Sequence, residues 1–391
     1  MNRRRATTIL LLCAVSLAAW IAVADAAELR VDGHGNGHGI GMSQYGAYGY
    51  ALKTRHTYPY ILAHYYPGTA LRRSKGHSVR VLLKQGPALL VADATRLTAP
   101  GRSPISLHSD RTYRFEPDVA GLRVVDTKAN VTKARVASPA TVSAGSAVRL
   151  RGLAQNGVMS GHYRGTLVLS AGADGVTAVN RLDLEQYLYG VVPAEMPASW
   201  PKQALESQAV AARSYAIRSL APGSRFDVFA DTRSQVYRGR DGERAAATAA
   251  VSATRAYALF YAGAVAATYF SSSSGGRTAA IDEEWGGPPV PYLRSVSDPY
   301  DYLSPSHDWN VTLTGADVER RLGSLLLGQL EDIMVTARNS SGRAANVEIR
   351  GTGGVTEASG TQIRAALGLR STWFTLRYSG AALSRAERAA R

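Results

Sequence analysis

The residue best placed to do acid–base chemistry is Glu195. It stands in VVPAEMPASWPKQALESQAVAARSYA, Val191 to Ala216, between Pro193 and Pro197 and just ahead of a helical stretch rich in alanine. Each proline fixes its own φ and biases the residue before it toward extended backbone, so the sequence predicts a stiff, non-helical connector holding this carboxyl. Met196 and Trp200 are close by. If they exclude water, the carboxyl keeps its proton near neutral pH, as a general acid must. The N-terminus of the following helix works the other way, by favouring the anion. The alternative is structural, with Glu195 capping that helix.

Two further stretches carry groups that can line a binding groove. In GHGNGHGIGMSQYGAYGYA, Gly33 to Ala51, five glycines alternate with His34, Asn36, His38 and Ile40. Read as an extended chain, one face is bare backbone and the other carries the histidines and the asparagine. His34 and His38 are four apart, but so many glycines exclude a helical metal site, and no cysteine or central glutamate completes one. The spacing also departs from GxGxxG. No metal and no cofactor is expected. SSSSGGRT, Ser271 to Thr278, is either a plain turn or a loop whose hydroxyls meet sugar hydroxyls. Trp285 either packs in a core or stacks on a pyranose ring. The expected groove residues are His38, Gln44, Tyr45, Gln208, Arg213, Ser272, Ser273 and Trp285.

The elements that must position these groups form an α+β fold. Between Ser78 and Val179, short runs such as VRVLLK, TYRFEP and GTLVLSA, broken by Gly, Pro, Asp and Ser, predict a strand-rich accessory module. Leu182 to Leu188 reads as a short helix, and Pro201 to Leu220 as a longer one with Ser199 as its N-cap. On the longer helix Leu205, Ala209, Ala212, Ala216 and Leu220 share a face, with Val210 and Ile217 on a second apolar line, so it must be closely packed. Gln208 and Arg213 on that helix then need partners. Ala245 to Thr254 and Asp317 to Leu330 read as helices. A hairpin is expected over Tyr257 to Tyr269, a strand over Ala345 to Arg350, a short helix over Thr361 to Leu367 and a strand in STWFTLRY.

The chain opens with three arginines, a mostly apolar run from Thr8 to Val23 and small residues at Ala24 and Ala26. That is the order of an export signal, with cleavage expected after Ala26; an uncleaved anchor is the alternative. The single cysteine, Cys13, lies inside it, so neither a disulfide nor a thiolate site is expected beyond. The full chain carries a net charge of +15; without residues 1–26 it loses three arginines and Asp25, leaving +13. Outside a membrane the common polyanion is the cell envelope, and scattered arginines also suit a merely solvated surface. Nucleic-acid binding is disfavoured by the leader and by the lack of a basic, aromatic-laced motif.

Together, VNRLDLEQYLYGVVPAEMPASWPKQALESQAVAARSYA, QVYRG, SSSSGGRT, GHGNGHGIGMSQYGAYGYA and ILAHYYPGT resemble the stage II sporulation protein D (SpoIID) family, which also includes LytB-type amidase modifiers. The sporulation members are lytic transglycosylases acting on peptidoglycan, and their catalytic glutamate lies in GVVPAEMP. The resemblance therefore implies that Glu195 is catalytic. In the usual family order the GHG and YYPGT segments close the domain; here they precede it, which implies a circular permutation. The strand around Thr372 to Tyr378 is then expected to end close to His34. The resulting organisation is a signal peptide over 1–26, the permuted segment over 27–77, the accessory module over 78–178, a catalytic core over 179–380 and a tail over 381–391.

The resemblance implies an exported enzyme, located in the cell wall or periplasm and not an integral membrane protein once its leader is removed. It would cleave peptide-stripped glycan strands with a single Glu and leave a 1,6-anhydro end. Asp183, Glu185 and Glu206 are read as structural or surface carboxylates. The rival is a non-catalytic wall-binding module that stimulates an N-acetylmuramoyl-L-alanine amidase, which would then be its partner.

Overall fold

The computed structural model describes residues 27–380, so the expected leader and tail lie outside the described residues. The described chain is α+β and divides into two compact units, one built from 34–307 and the other from 27–33 together with 308–380. Among the described residues no helix is long and apolar enough to cross a membrane.

The two largest sheets of the larger unit are mainly antiparallel. A seven-stranded sheet runs, in spatial order, Val228–Phe229, Ser78–Gly86, Gly175–Asp183, Thr166–Gly172, Ala140–Ser143, Arg96–Thr98 and Ile105–Ser106, and only its first strand is parallel to its neighbour. A six-stranded sheet runs Val131–Val136, Gly121–Asp126, Thr112–Asp118, Leu89–Ala92, Val148–Leu150 and His162–Tyr163. Period-two patterning fixes which side of each is buried. Leu167 and Leu169 on one sheet, and Tyr113 and Phe115 on the other, are buried in a shared core, while their sequence neighbours are not.

The helices of this unit are α1 (Gln44–Gly49), α2 (Tyr58–Tyr65), α3 (Leu184–Glu195), α4 (Lys202–Arg218), α5 (Ala245–Ala253) and α6 (Ile281–Trp285). The Gly175–Asp183 strand runs straight into α3, where the Asp183 carboxylate accepts the Glu185 N–H and caps the helix. Along α4, Leu205, Ala209, Ala212 and Ala216 are all buried, as their spacing requires.

Three sequence expectations fail here. Ser199 is not the N-cap of α4; Pro201 takes that position without a side-chain bond, its fixed φ fitting the start of a helix. The glycine-alternating segment is not a regular strand beyond His34, because Gly35, Gly37, Gly39 and Gly41 all have φ between 72° and 110°, which breaks the pleat. Glu195 is not on a non-helical connector. It is the last residue of α3, with Pro193 inside the helix.

In the smaller unit, Glu28–His34 is the middle strand of a sheet, between Asp308–Thr314 and Phe374–Ser379. A second sheet runs Leu330–Arg338, Ala344–Gly351 and Gly354–Ser359, and α7 (Gly315–Leu322) and α8 (Gly360–Leu367) accompany it. The helix expected over Asp317 to Leu330 stops at Leu322, where Gly323 forms the C-cap with φ 54°; Leu330 already begins a strand. Phe374–Ser379 lies antiparallel to the first strand, pairing Phe374 with Gly33 and Ser379 with Glu28. Thus the start of that strand, and not its end, meets the glycine segment.

Candidate active site

Helix α3 ends where it does because Pro197 biases Met196 toward extended backbone, and Met196 has ψ 133°. The Met196 N–H still closes the last turn onto the Val192 carbonyl at 3.0 Å. Glu195 is therefore fixed at a helix C-terminus, where the exposed carbonyl dipoles disfavour a negative charge. Its side chain is half-buried. One carboxyl oxygen accepts the Val236 N–H at 2.8 Å, and the other has no hydrogen-bond partner among the described residues while remaining in contact with solvent.

Burial pushes the Glu195 carboxyl above its ordinary range, and the single N–H donor only partly opposes it. No charged neighbour is among the causes of that shift. Two phenols feel its charge in turn. Tyr187, fully buried, and Tyr215 are both raised, first by burial and then in part by Glu195. The Tyr187 hydroxyl donates to Gln235, whose amide donates to the Ala212 carbonyl on α4, so the segment carrying Val236 is braced against the two helices.

From Glu195 a line of rings leads to the glycine and serine segments. The Tyr215 ring lies 6.0 Å from that of Tyr269, Tyr269 lies 4.9 Å from Trp285, and Trp285 lies 5.0 Å from His38. Trp285 is 48% exposed, an uncommon position for so large an apolar surface unless it meets a partner. The glycine segment reaches the serine loop by close backbone approach. Asn36 and Ser273 exchange both backbone hydrogen bonds, and a Cβ on Gly35 would come within 2.8 Å of the Ser273 carbonyl oxygen.

The expected groove residues separate into two groups. Half-buried or exposed are His38, whose Nδ1 accepts the Ile40 N–H at 3.0 Å; Tyr45, whose ring packs 4.9 Å from Trp200; Ser272; and Trp285. Buried are Gln44, Gln208, Arg213 and Ser273. Arg213 is wholly inaccessible. Its guanidinium donates to both oxygens of Glu185 at 2.9 and 2.7 Å and to the carbonyls of Val251 and Tyr257. It ties α4 to α3 and α5, and it cannot also reach a ligand. Ser273 donates to Asp301 at 2.8 Å and is likewise spent. Gln208 accepts from Gln44 at 3.4 Å, and its buried Nε2 has no partner.

Sequence reasoning missed the group that organises the serine loop. Asp301 accepts from Ser43 at 2.9 Å, from Ser273, from the backbone N–H groups of Ser274 and Gly275 at 2.8 Å each, and faces His307 Nδ1 at 3.0 Å. Asp298 beside it accepts from Tyr65 at 2.8 Å and from Ser274 at 2.6 Å. Both carboxylates are buried, and burial followed by the Asp301 charge raises Asp298 to about 6. These carboxylates lie in the SDPYDYL stretch, and only the fold brings Ser43 and Tyr65 to it.

Residues 172–261 match the SpoIID family, described as Stage II sporulation protein. Over that segment the chain is similar to the SpoIID family. The matched segment contains Glu195, Tyr215 and Val236. The chain is similar to Stage II sporulation protein D of Bacillus subtilis (strain 168), at 30% identity over 220 residues, 52% of this chain and 63% of that protein. It is 35% identical over 203 residues to an uncharacterized protein of Brachyspira hyodysenteriae, 51% of this chain and 54% of that one. The Amidase enhancer of Bacillus subtilis matches at 37% over 134 residues, 34% of this chain and 18% of that protein. The aligned part thus spans less than two thirds of each of these relatives.

Proposed function

We propose that the protein is an exported peptidoglycan lytic transglycosylase in which Glu195 is both general acid and general base. The match to the SpoIID family and the similarity to Stage II sporulation protein D support a cell-wall role. The observation that carries the finer reading is the state of Glu195: a carboxyl raised by burial, held by one N–H, with its second oxygen open. Such a group keeps its proton to higher pH than an ordinary glutamate, the direction a general acid requires.

In the proposed reaction Glu195 gives its proton to the glycosidic oxygen between N-acetylmuramic acid and N-acetylglucosamine, and the bond from that oxygen to the muramic C1 breaks. The 6-hydroxyl of the same sugar closes onto C1. Its proton passes to the Glu195 carboxylate, which restores the acid and leaves a 1,6-anhydro end. No second carboxylate is needed, whereas hydrolysis commonly uses a pair. The alternatives nearest in sequence are occupied: Asp183 caps α3, Glu185 is paired with Arg213, and the buried Glu206 accepts from Gln203 and lies 3.5 Å from the exposed Lys202 ammonium. His38, Tyr45, Ser272 and Trp285 are the proposed groove, with Trp285 presenting a ring face to a sugar.

The domain scheme and the permuted order belong to the same proposal, supported by the intimate packing of the glycine segment on the serine loop. Similarity to the Amidase enhancer favours a second reading, a wall-binding module that stimulates an amidase. Purified protein incubated with peptide-stripped glycan strands separates the two. Anhydro-ended fragments from the wild type and none from E195Q support the enzyme; no such product from either protein supports the modulator.

A further inference from the structure

The outer face of the seven-stranded sheet carries cationic groups that the proposed chemistry does not use. Directly paired residues on neighbouring strands share a face, and the register aligns Ser106, Arg96, Ser143, Thr166, Arg181 and Arg80 in one row across the sheet. The alternating positions, such as Leu97, Val142, Leu167 and Leu182, are buried on the other side. Arg80 is neutralised by Asp227, with a 2.6 Å contact. Arg96 and Arg181 are exposed and, among the described residues, have no carboxylate partner; the same holds for Arg225.

Beside this row lies a cavity of about 240 Å³, floored by Val168 and Val179 and edged by the hydroxyls of Ser170 and Thr177. Arg80, Arg181 and Arg225 all line it, and no acidic or aromatic side chain does. A guanidinium fork matches phosphate oxygens bidentately, and hydroxyls supply further donors. Arg96 stands three strands from Arg181, roughly 14 Å away at ordinary strand spacing. The cationic positions are therefore distributed along a line and do not form a single point. The absence of aromatic rings from the cavity lining argues against base stacking or sugar stacking there.

We propose that this face binds a wall polymer of repeating phosphodiester units, of the poly(glycerol phosphate) kind, with Arg181 and Arg225 holding one phosphate and Arg96 a later one along the chain. The choice of a wall polymer rests on the cell-wall reading of the family; the geometry of the face does not depend on Glu195. Binding would hold the enzyme at the wall independently of the sugar groove.

The test uses the full chain and measures binding to soluble poly(glycerol phosphate), with polyglutamate and single-stranded DNA as parallel probes. We expect salt-sensitive binding of the phosphate polymer. R181E/R225E should weaken it by roughly tenfold or more and lower the slope of log affinity against log salt by about one, for the one phosphate the pair holds. R72E/R255E makes the same change in net charge at exposed positions elsewhere and should change affinity by less than about threefold. Unchanged melting temperatures would show that both variants fold, and E195Q should bind like the wild type even if the catalytic proposal fails. Equal loss in both arginine pairs, equal binding of polyglutamate, or tighter binding of DNA would each overturn the proposal.

Discussion

Glu195 and Asp298 are both acidic side chains whose proton affinity is raised by burial, yet their surroundings differ in what is left unspent. Asp298 and its neighbour Asp301 accept hydrogen bonds from two elements and a loop, on both oxygens of each carboxylate. Glu195 accepts one, from Val236, and keeps an oxygen open. A raised pKa alone therefore does not mark a reactive acid. The proposed role of Glu195 rests on a raised pKa combined with free coordination. The buried pair serves by pinning the serine loop against Ser43 and Tyr65, and the open carboxyl is the one free to move a proton.

The comparison breaks first at Glu195. E195Q preserves shape and the Val236 bond, so we expect glycan cleavage to fall by about 10²–10⁴-fold with the melting temperature unchanged or higher. Mass spectrometry of anhydro-ended products and a thermal melt check both halves. In the wild type, the rate should decline as pH rises through the raised pKa of this acid, placing that limb above the 4.5 of an ordinary glutamate.

At the opposite pole, D301A strips the acceptor from Ser43, Ser273 and two backbone N–H groups at once. It should cost about 3–5 kcal/mol in denaturant unfolding and lower activity only through the disordered loop. R213M leaves Glu185 as an uncompensated buried charge and should cost a comparable amount. A smaller effect is expected at Asp298. Because its folded pKa, about 6, lies above the unfolded 3.8, its contribution to stability is full below pH 3.8 and is lost as pH rises through about 6. The loss amounts to roughly 2–3 kcal/mol, and D298N should flatten that part of the stability–pH curve. The mildest change is W285A, expected to raise KM for glycan strands by about tenfold or less with kcat nearly intact.

How much of this was legible from residues alone varied with the range of the interactions. The alanine face of α4 and the short strands of 78–179 follow from local periodicity, and the sequence correctly required partners for Arg213. It did not reveal that the partner, Glu185, together with carbonyls of Val251 and Tyr257, would bury the guanidinium beyond reach of any ligand. Glu195 stood out because of its prolines, but Pro193 reads as a helix break when it is tolerated near the end of α3. The glycine segment was readable as a place of close backbone approach. Its positive φ values, and hence its irregular course, depend on Ser271, Ser273 and Gly275 packing against it from far along the chain. The Asp298–Asp301 pair left no local signal, since its donors come from elements distant in sequence.

The central position of Glu28–His34, flanked by strands from the opposite end of the described chain, sets a constraint on biogenesis. Leu29 and Val31, fully covered in the finished protein, have no lasting cover until Phe374–Ser379 has been synthesised. A ribosome must therefore release nearly the whole polypeptide before that sheet can close. Through that interval an unsatisfied β-edge is available to other nascent copies, which makes chaperone holding, and the integrity of the last strand, decisive for yield.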